Sequence, residues 1–259
     1  RAQQQKKGQK QRRRGTKEKE NLYNLYKQKG YFKIKNFFPK NFINELNEEI
    51  LNANNVKRYY DKNNKLRRIE KLYNKGEKLN SLNNKILKYI ELLFKKNFVI
   101  FKDKFNAKPK GGDGFLPHYD GIFYFEKKDG SIHKGWHKYS NFFINVLVAL
   151  DDCNEESGTL QVANADFFEF EKLLENTRKD GTPFLKHEYA TKLKFKSINL
   201  KPGDLLFFSH LCPHKSDKNK SNNDRKILYY TYAESNNSDI YDEYYKDKDE
   251  SITNKGGAL

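Results

Sequence analysis

Lys201-Pro202-Gly203-Asp204-Leu205-Leu206-Phe207-Phe208 runs through Ser209 and His210 into Cys212-Pro213-His214-Lys215-Ser216. Pro-Gly-Asp sets a turn, the apolar run after it reads as a buried strand, and that strand delivers His214 at its far end. Runs of the same character, short and rich in β-branched and aromatic residues, recur at 98–105, 141–150, 159–163, 193–200, 204–209 and 226–233, separated by Gly, Pro, Asn and Asp. Upstream, Gly30 to Phe38 alternates apolar and polar residues as a strand, and Pro39 opens a helix with Phe42, Leu46, Ile50 and Leu51 on one face. A second helix is predicted over 82–96, where Ile86, Tyr89, Ile90, Leu93 and Phe94 repeat at helical spacing. Helices followed by many short strands predict an α+β, mainly β fold: an antiparallel sandwich wound as a double-stranded β-helix, or jelly roll, with flanking helices.

The 259 residues suffice for one such domain, expected over 21–259. Residues 1–20 hold nine Lys or Arg and two Glu without apolar periodicity, and are expected to form a disordered basic tail. That tail contributes 9 − 2 = +7 of the formal net charge of +17. The rest is spread through the chain without the aromatic-basic stripe of a single-strand-binding groove, as a surface suited to small anions rather than to nucleic acid. No run approaches the roughly 18 apolar residues of a membrane span and the beginning lacks an apolar signal core, so a soluble, cytoplasmic protein is expected. Cys153 and Cys212 form no CxxC pair and are read as reduced thiols. Oligomeric state is not readable at this level. No Walker loop and no GxSxG elbow occurs.

Pro117-His118-Tyr119-Asp120-Gly121 sets an imidazole and a carboxylate two residues apart, on the same side of an extended chain. With His214 they form two His and one carboxylate, the facial set that leaves positions open on a non-haem Fe(II) centre. Eleven residues beyond His214, Arg225 opens the run Lys226-Ile227-Leu228-Tyr229-Tyr230, so an adjacent strand can return a guanidinium, whose planar fork suits a carboxylate, to the same place. A lone HxD arises easily by chance; the order HxD, Pro-Gly-Asp, apolar strand, His, then Arg is what gives it weight. His133, His137, His187 and His210 are read as surface or core residues. Residues 239–248, with Tyr241, Tyr244 and Tyr245, read either as lining of a substrate entrance or as a terminal amphipathic helix.

These stretches, with Phe101 to Lys108, Gly111-Gly112, Asn145 to Asp152, Glu156-Ser157-Gly158-Thr159-Leu160-Gln161 and His214-Lys215-Ser216, resemble the phytanoyl-CoA dioxygenase superfamily of Fe(II)/2-oxoglutarate oxygenases, from about residue 30 to 248. The closing segment, with Arg225, Tyr230-Thr231-Tyr232 and Tyr244-Tyr245, is similar to the branch that hydroxylates aminoalkylphosphonates beside phosphorus. Tyr119 stands where that branch has Gln, and Ser157-Gly158 where it has Asn-Gly.

The resemblance implies a cupin-like jelly roll and iron held by His118, Asp120 and His214. It implies 2-oxoglutarate gripped by Arg225 and Ser216, with Trp136, Asn145 and Lys108 as further contacts, and O2 as second co-substrate. Lys104 is as well suited as Lys108 to orient an anionic substrate. A retained carboxylate at Asp120 favours hydroxylation over halogenation, because related halogenases have a small residue there. The implied substrate is a small anion or zwitterion, best an aminoalkylphosphonate. Alternatives are another small polar molecule or an acyl thioester, and, in a different class, a nucleic-acid-binding protein on a non-catalytic scaffold.

Overall fold

Side-chain parity along four neighbouring strands divides the molecule into two cores. In the computed structural model, which describes residues 2–121, 125–126, 129–133, 135–164 and 184–250, β8 (Phe143–Ala149) and β11 (Leu205–Ser209) are central strands of a seven-stranded antiparallel sheet. The order of that sheet is β1-β11-β8-β13-β4-β3-β2, with β1 Tyr31–Ile34, β2 Lys57–Tyr60, β3 Leu66–Glu70, β4 Phe98–Lys108 and β13 Arg225–Glu234. Ile144, Val146, Val148, Leu205 and Phe207 point to one face, where they join a core shared with the helices. Leu147, Ala149, Leu206, Phe208 and Ile227 point to the other, against Leu160 and Val162 of a second sheet.

The second sheet has the order β10-β9-β12-β5: Lys196–Ser197, Leu160–Val162, His214–Ser216 and Phe115–His118. Two antiparallel sheets face to face, with helices on the outer face of the larger one, are the expected jelly roll. A two-stranded ribbon joins β6 (Phe125–Glu126) and β7 (Ile132–His133).

The helical layer is α1 (Ala2–Lys29), α2 (Lys40–Asn52) and α3 (Glu77–Phe94); α4 (His187–Ala190) is short, and α5 (Ile240–Glu250) lies against β4. In α2, Phe42, Leu46 and Ile50 are buried as expected, but Ile43 completes the stripe and Leu51 is exposed. Residue 43 lies one position after 42 and seven before 50, which centres the stripe away from 51.

Where a disordered stretch was expected over 1–20, the backbone is helical from Ala2. Its Gln, Lys, Arg and Glu are good helix formers, and the helix is anchored at its far end. There Tyr26 is buried with its ring 4.9 Å from that of Phe94, and Leu22, Tyr23 and Leu25 pack on the core. The hairpin β2–β3 has no counterpart among the expected strands; its KRYY and LRRIE strands are too polar to show the usual alternation. Of the two readings of residues 239–248, the structure has the helix, over Ile240–Glu250, with Tyr241, Tyr244 and Tyr245 buried.

Phe207 is fully buried, is the Cα partner of Phe32, and stacks on its ring at 4.7 Å. Phe207→Ala is expected to cost about 3–5 kcal/mol in denaturant unfolding; a loss below about 1 kcal/mol would show that this ring pair is not central to the helix-side core.

Candidate metal centre

β5 and β12 pair antiparallel with His118 and His214 as direct Cα partners, which brings the imidazole centroids to 4.2 Å. Each ring places Nδ1 on the backbone carbonyl two residues earlier: His118 on Leu116 at 2.6 Å, and His214 on Cys212 at 2.9 Å. A carbonyl can only accept, so both Nδ1 atoms carry the proton and both Nε2 lone pairs are left to a ligand. Burial foremost, and then His214, pulls the His118 pKa down to about 3, so this imidazole is neutral at ordinary pH.

Asp120 follows β5, with its backbone N–H donating to the His210 carbonyl at 2.9 Å. Asn145 on β8 donates to its Oδ2 at 2.7 Å, and Thr231 on β13 donates to Asn145 Oδ1 at 2.7 Å. Among the described residues, no hydrogen bond reaches the other Asp120 oxygen. Burial alone would raise this carboxyl, but His214, Lys102, His118 and Lys104 outweigh it and hold the pKa at about 2. Potential ligand atoms of His118, Asp120 and His214 all lie within 4.8 Å of one another, the sole such His/Cys/carboxylate cluster among the described residues.

The cluster opens into a cavity between the two sheets, lined on the larger sheet by Asn145, Thr231, Tyr229, Arg225, Lys102 and Lys104. Arg225 is buried, no described carboxylate pairs with it, and its Nε is without a partner. The neighbouring Cys153 supplies no counter-charge, because burial pushes its thiol up to about 12. Ser216, two residues beyond His214, accepts hydrogen bonds on Oγ from Lys108 Nζ at 2.9 Å and Phe115 N–H at 3.3 Å, which leaves its own proton to donate. A buried guanidinium without a carboxylate beside a hydroxyl with a free proton is suited to a carboxylate ligand.

The remaining expected site residues divide. Trp136, in the 3-10 turn Gly135–Lys138, lines the cavity and carries the Lys102 ammonium 4.2 Å from its ring centroid. Asn145 also lines it, and its amide donates to Asp120 and accepts from Thr231, so it orients the carboxylate. Lys108 sits behind Ser216 and away from the cavity lining, with its three donors on Ser216 Oγ, Gly158 O at 3.0 Å and Asp217 O at 2.6 Å. Lys104, its counterpart in the sequence reading, does line the cavity. Thr231 and Lys102 escaped the sequence reading. Thr231 matters only through its register opposite Asn145, whereas Lys102 was legible as the in-phase neighbour of Lys104 two residues along a strand.

His137 and His210 lie outside the cluster. His210 Nδ1 meets the Phe143 carbonyl at 3.3 Å and must donate to it, so His210 Nε2 accepts from His137 Nε2 at 3.3 Å. Burial foremost pulls His210 down to about 3. The side chain of His133 is outside the described residues, and His187 begins α4.

Gly121 has φ +77, and a Cβ there would lie 2.8 Å from the Trp136 ring. Gly121→Ala is therefore expected to displace the one tryptophan of the chain, shifting its emission and costing about 1–3 kcal/mol; an unchanged spectrum would count against this contact. Because unfolded His takes a proton near pH 6.5 and His210 only near pH 3, the unfolded state binds more protons below pH 6.5 and stability is lost as the pH falls. Denaturation at pH 7 and pH 5 should show a loss about 2 kcal/mol smaller in His210→Gln than in the parent; equal losses would contradict the neutral pair.

The model of the family described as Phytanoyl-CoA dioxygenase (PhyH) matches residues 26–227. A 2-aminoethylphosphonate dioxygenase from an uncultured bacterium is 33% identical over 180 residues, covering 70% of this chain and 63% of that one. A methylphosphonate hydroxylase from Gimesia maris is 32% identical over 157 residues, covering 60% and 52%. The chain thus spans about half to two thirds of the length of these relatives. Among solved structures, the epimerase SnoN in complex with Fe3+, alpha ketoglutarate and nogalamycin RO superposes with a TM-score of 0.65 at 16% identity, covering 85% of this chain and 84% of that one. EctD from S. alaskensis with 2-oxoglutarate and 5-hydroxyectoine gives 0.62 at 16%, covering 82% and 75%. The jelly roll is shared with these structures, and with its family model matched over most of its length the chain belongs to the phytanoyl-CoA dioxygenase (PhyH) family.

Proposed function

We propose that this chain is an Fe(II)- and 2-oxoglutarate-dependent dioxygenase that hydroxylates a C–H bond of a small polar substrate, best an aminoalkylphosphonate at the carbon next to phosphorus. The observation that carries the reading is the facing of His118, Asp120 and His214, with free Nε2 atoms and a carboxylate, onto a cavity that also holds the carboxylate-free guanidinium of Arg225. The names of the two curated relatives favour the phosphonate.

In this reading His118, Asp120 and His214 would hold iron. Arg225 and Ser216 hold the distal carboxylate of 2-oxoglutarate. Bound iron supplies the redox chemistry by which 2-oxoglutarate and O2 become succinate and CO2 while one oxygen atom enters the substrate as hydroxyl. The chain's own residues do the rest by position. Asn145 and Thr231 hold Asp120 on one oxygen, the Nδ1 contacts fix the two imidazoles, and Leu160, Phe184 and Phe208 give the cavity apolar walls that limit water. No acid-base pair or nucleophile is required. Among the described residues no helix is long and apolar enough to cross a membrane.

Anaerobic titration with Fe(II) and 2-oxoglutarate should develop a weak visible charge-transfer band, and oxygen with 2-aminoethylphosphonate or methylphosphonate should then yield succinate. A band with no phosphonate response keeps the oxygenase and removes the substrate; no band removes the oxygenase. His214→Ala should lose the band and turnover while keeping the parent circular dichroism, and full activity in that variant would refute its role as ligand.

A further inference from the structure

The inner face of the larger sheet changes character from one side to the other. On β8 and β11 it is apolar apart from Asn145, through Leu147, Ala149, Leu206 and Phe208. On β4 the same face carries Lys102 and Lys104, while the alternating positions Phe101 and Phe105 bury themselves on the helix side. Lysines turned inward into a sandwich are costly unless something compensates them. No described carboxylate or carbonyl lies within hydrogen-bonding reach of either ammonium. The acidic groups nearby are already engaged. Glu70 accepts from Lys248 on both oxygens at 2.8 Å and from Arg68 and Tyr59 at 3.4 Å, and Asp103 accepts from Leu72 N–H, Tyr73 N–H and the Tyr241 hydroxyl. Asp120 belongs to the metal cluster.

Aromatic rings hold the two lysines in place. Lys102 lies over Trp136, and Lys104 stands 5.1 Å from the Tyr229 ring centroid. Their location relative to the cluster follows from register. Thr231, which holds Asn145 and through it Asp120, is the Cα partner of both Asn145 and Lys102, and Tyr229 is the partner of Lys104. Lys102 therefore lies in the row that positions Asp120, and Lys104 lies two residues along β4 from it. Arg225 lies six residues from Thr231 along β13, at the Ser216 end, so the cavity has two separate cationic poles with the metal cluster's residues reaching into it from the opposing sheet. Arg68, Cα partner of Asn106 on β4, adds a guanidinium to the lysine pole, with Glu70 3.4 Å from its Nη1.

We propose that Lys102 and Lys104, with Arg68 beside them, form the substrate head-group clamp, selecting a small organic molecule that carries a doubly charged −PO3 group, either a phosphonate or a phosphate monoester. Two unpaired ammonium groups match a dianion in charge, and three tetrahedrally disposed oxygens can meet donors from neighbouring strands at once. A carboxylate offers one charge and two oxygens. Held beside the row of Asn145 and Thr231, the head group sets the carbon attached to it close to the metal cluster. Burial lowers Lys104 to about 7 and Lys102 to about 8, the cost of holding these charges without a counter-ion. The assignment rests on the oxygenase reading for the purpose of the clamp, but not for its existence.

The test is calorimetric titration of the full chain with methylphosphonate, methyl phosphate and acetate, done anaerobically with and without Fe(II) and 2-oxoglutarate. The parent should bind at least one of the two phosphorus anions and bind acetate far more weakly. Lys102→Gln/Lys104→Gln should weaken that binding by about tenfold or more, while Lys102→Arg/Lys104→Arg stays within about threefold and 2-oxoglutarate affinity hardly moves. Arg225→Gln should show the opposite pattern, losing 2-oxoglutarate and keeping the phosphorus anion. The tighter of the two anions identifies the source of the group. Binding unaffected by the Gln pair, acetate bound as tightly as the phosphorus anions, neither of them bound by the parent, or Arg225→Gln losing both ligands alike would overturn the clamp. Failure of the oxygenase reading shows separately, as absence of the charge-transfer band in the same samples.

Discussion

The direct pairing of His118 with His214 across β5 and β12 is the constraint on which the site depends. Two imidazoles whose centroids are 4.2 Å apart cannot both be protonated at low cost, and burial disfavours charge on His118 further. The strands settle the matter by offering each Nδ1 a backbone carbonyl. With Nδ1 so bonded, each ring turns Nε2 toward a common point, and Asp120 brings its carboxylate to the same place. The two strands are only four and three residues long, so this geometry relies on their being held from both flanks: β12 pairs with β9 as well as with β5, and the chain after β5 is tied to the His210 carbonyl.

The larger sheet supplies the complementary half. Its outer face is a hydrophobic core continuous with α1, α2 and α3, which fixes the strands as a rigid platform. Its inner face is then free to carry polar groups whose positions are set to within the register of the ladder. Asn145, Thr231 and Lys102 occupy one row across three strands, and Arg225 and Lys108 another. The helix α5 closes the β4 side, where the buried pair of Lys248 and Glu70 and the hydroxyls of Tyr241 and Tyr245 satisfy groups that would otherwise face inward unpaired. A polar wall inside a sandwich is tolerated because each of its groups is bonded to protein or turned to the cavity.

Particular residues show where sequence reading succeeds and where it stops. His118, Asp120 and His214 were legible because a strand projects alternate side chains the same way and because a turn plus an apolar run locates a strand end. Arg225 was legible from its place at the head of an apolar run. Asn145 and Lys108 were assigned to the co-substrate, yet one amide turns to Asp120 and the ammonium of the other is consumed by Ser216 and two carbonyls. Those partners lie 25 to 109 residues away along the chain. Hydrogen-bond partners so distant in sequence leave no local periodicity. The hairpin β2–β3 was missed for a related reason: it is a half-exposed edge of the sheet whose strands carry charge on both faces.

By itself the sequence determined the class of fold and the identity of the metal-binding candidates, because both follow from local patterns: the two-residue period of strands, the turn chemistry of Pro-Gly-Asp, and the donor types His and Asp. The tertiary structure alone decided which cations are free. Lys102, Lys104 and Lys108 are indistinguishable as basic residues at alternate positions along one strand. Only the register of β4 against β13, and the closeness of Ser216, Gly158 and Asp217, leaves Lys108 fully bonded and turns the other two into the cavity. Charge is a property of the residue, whereas the absence of a partner is a property of the packing around it.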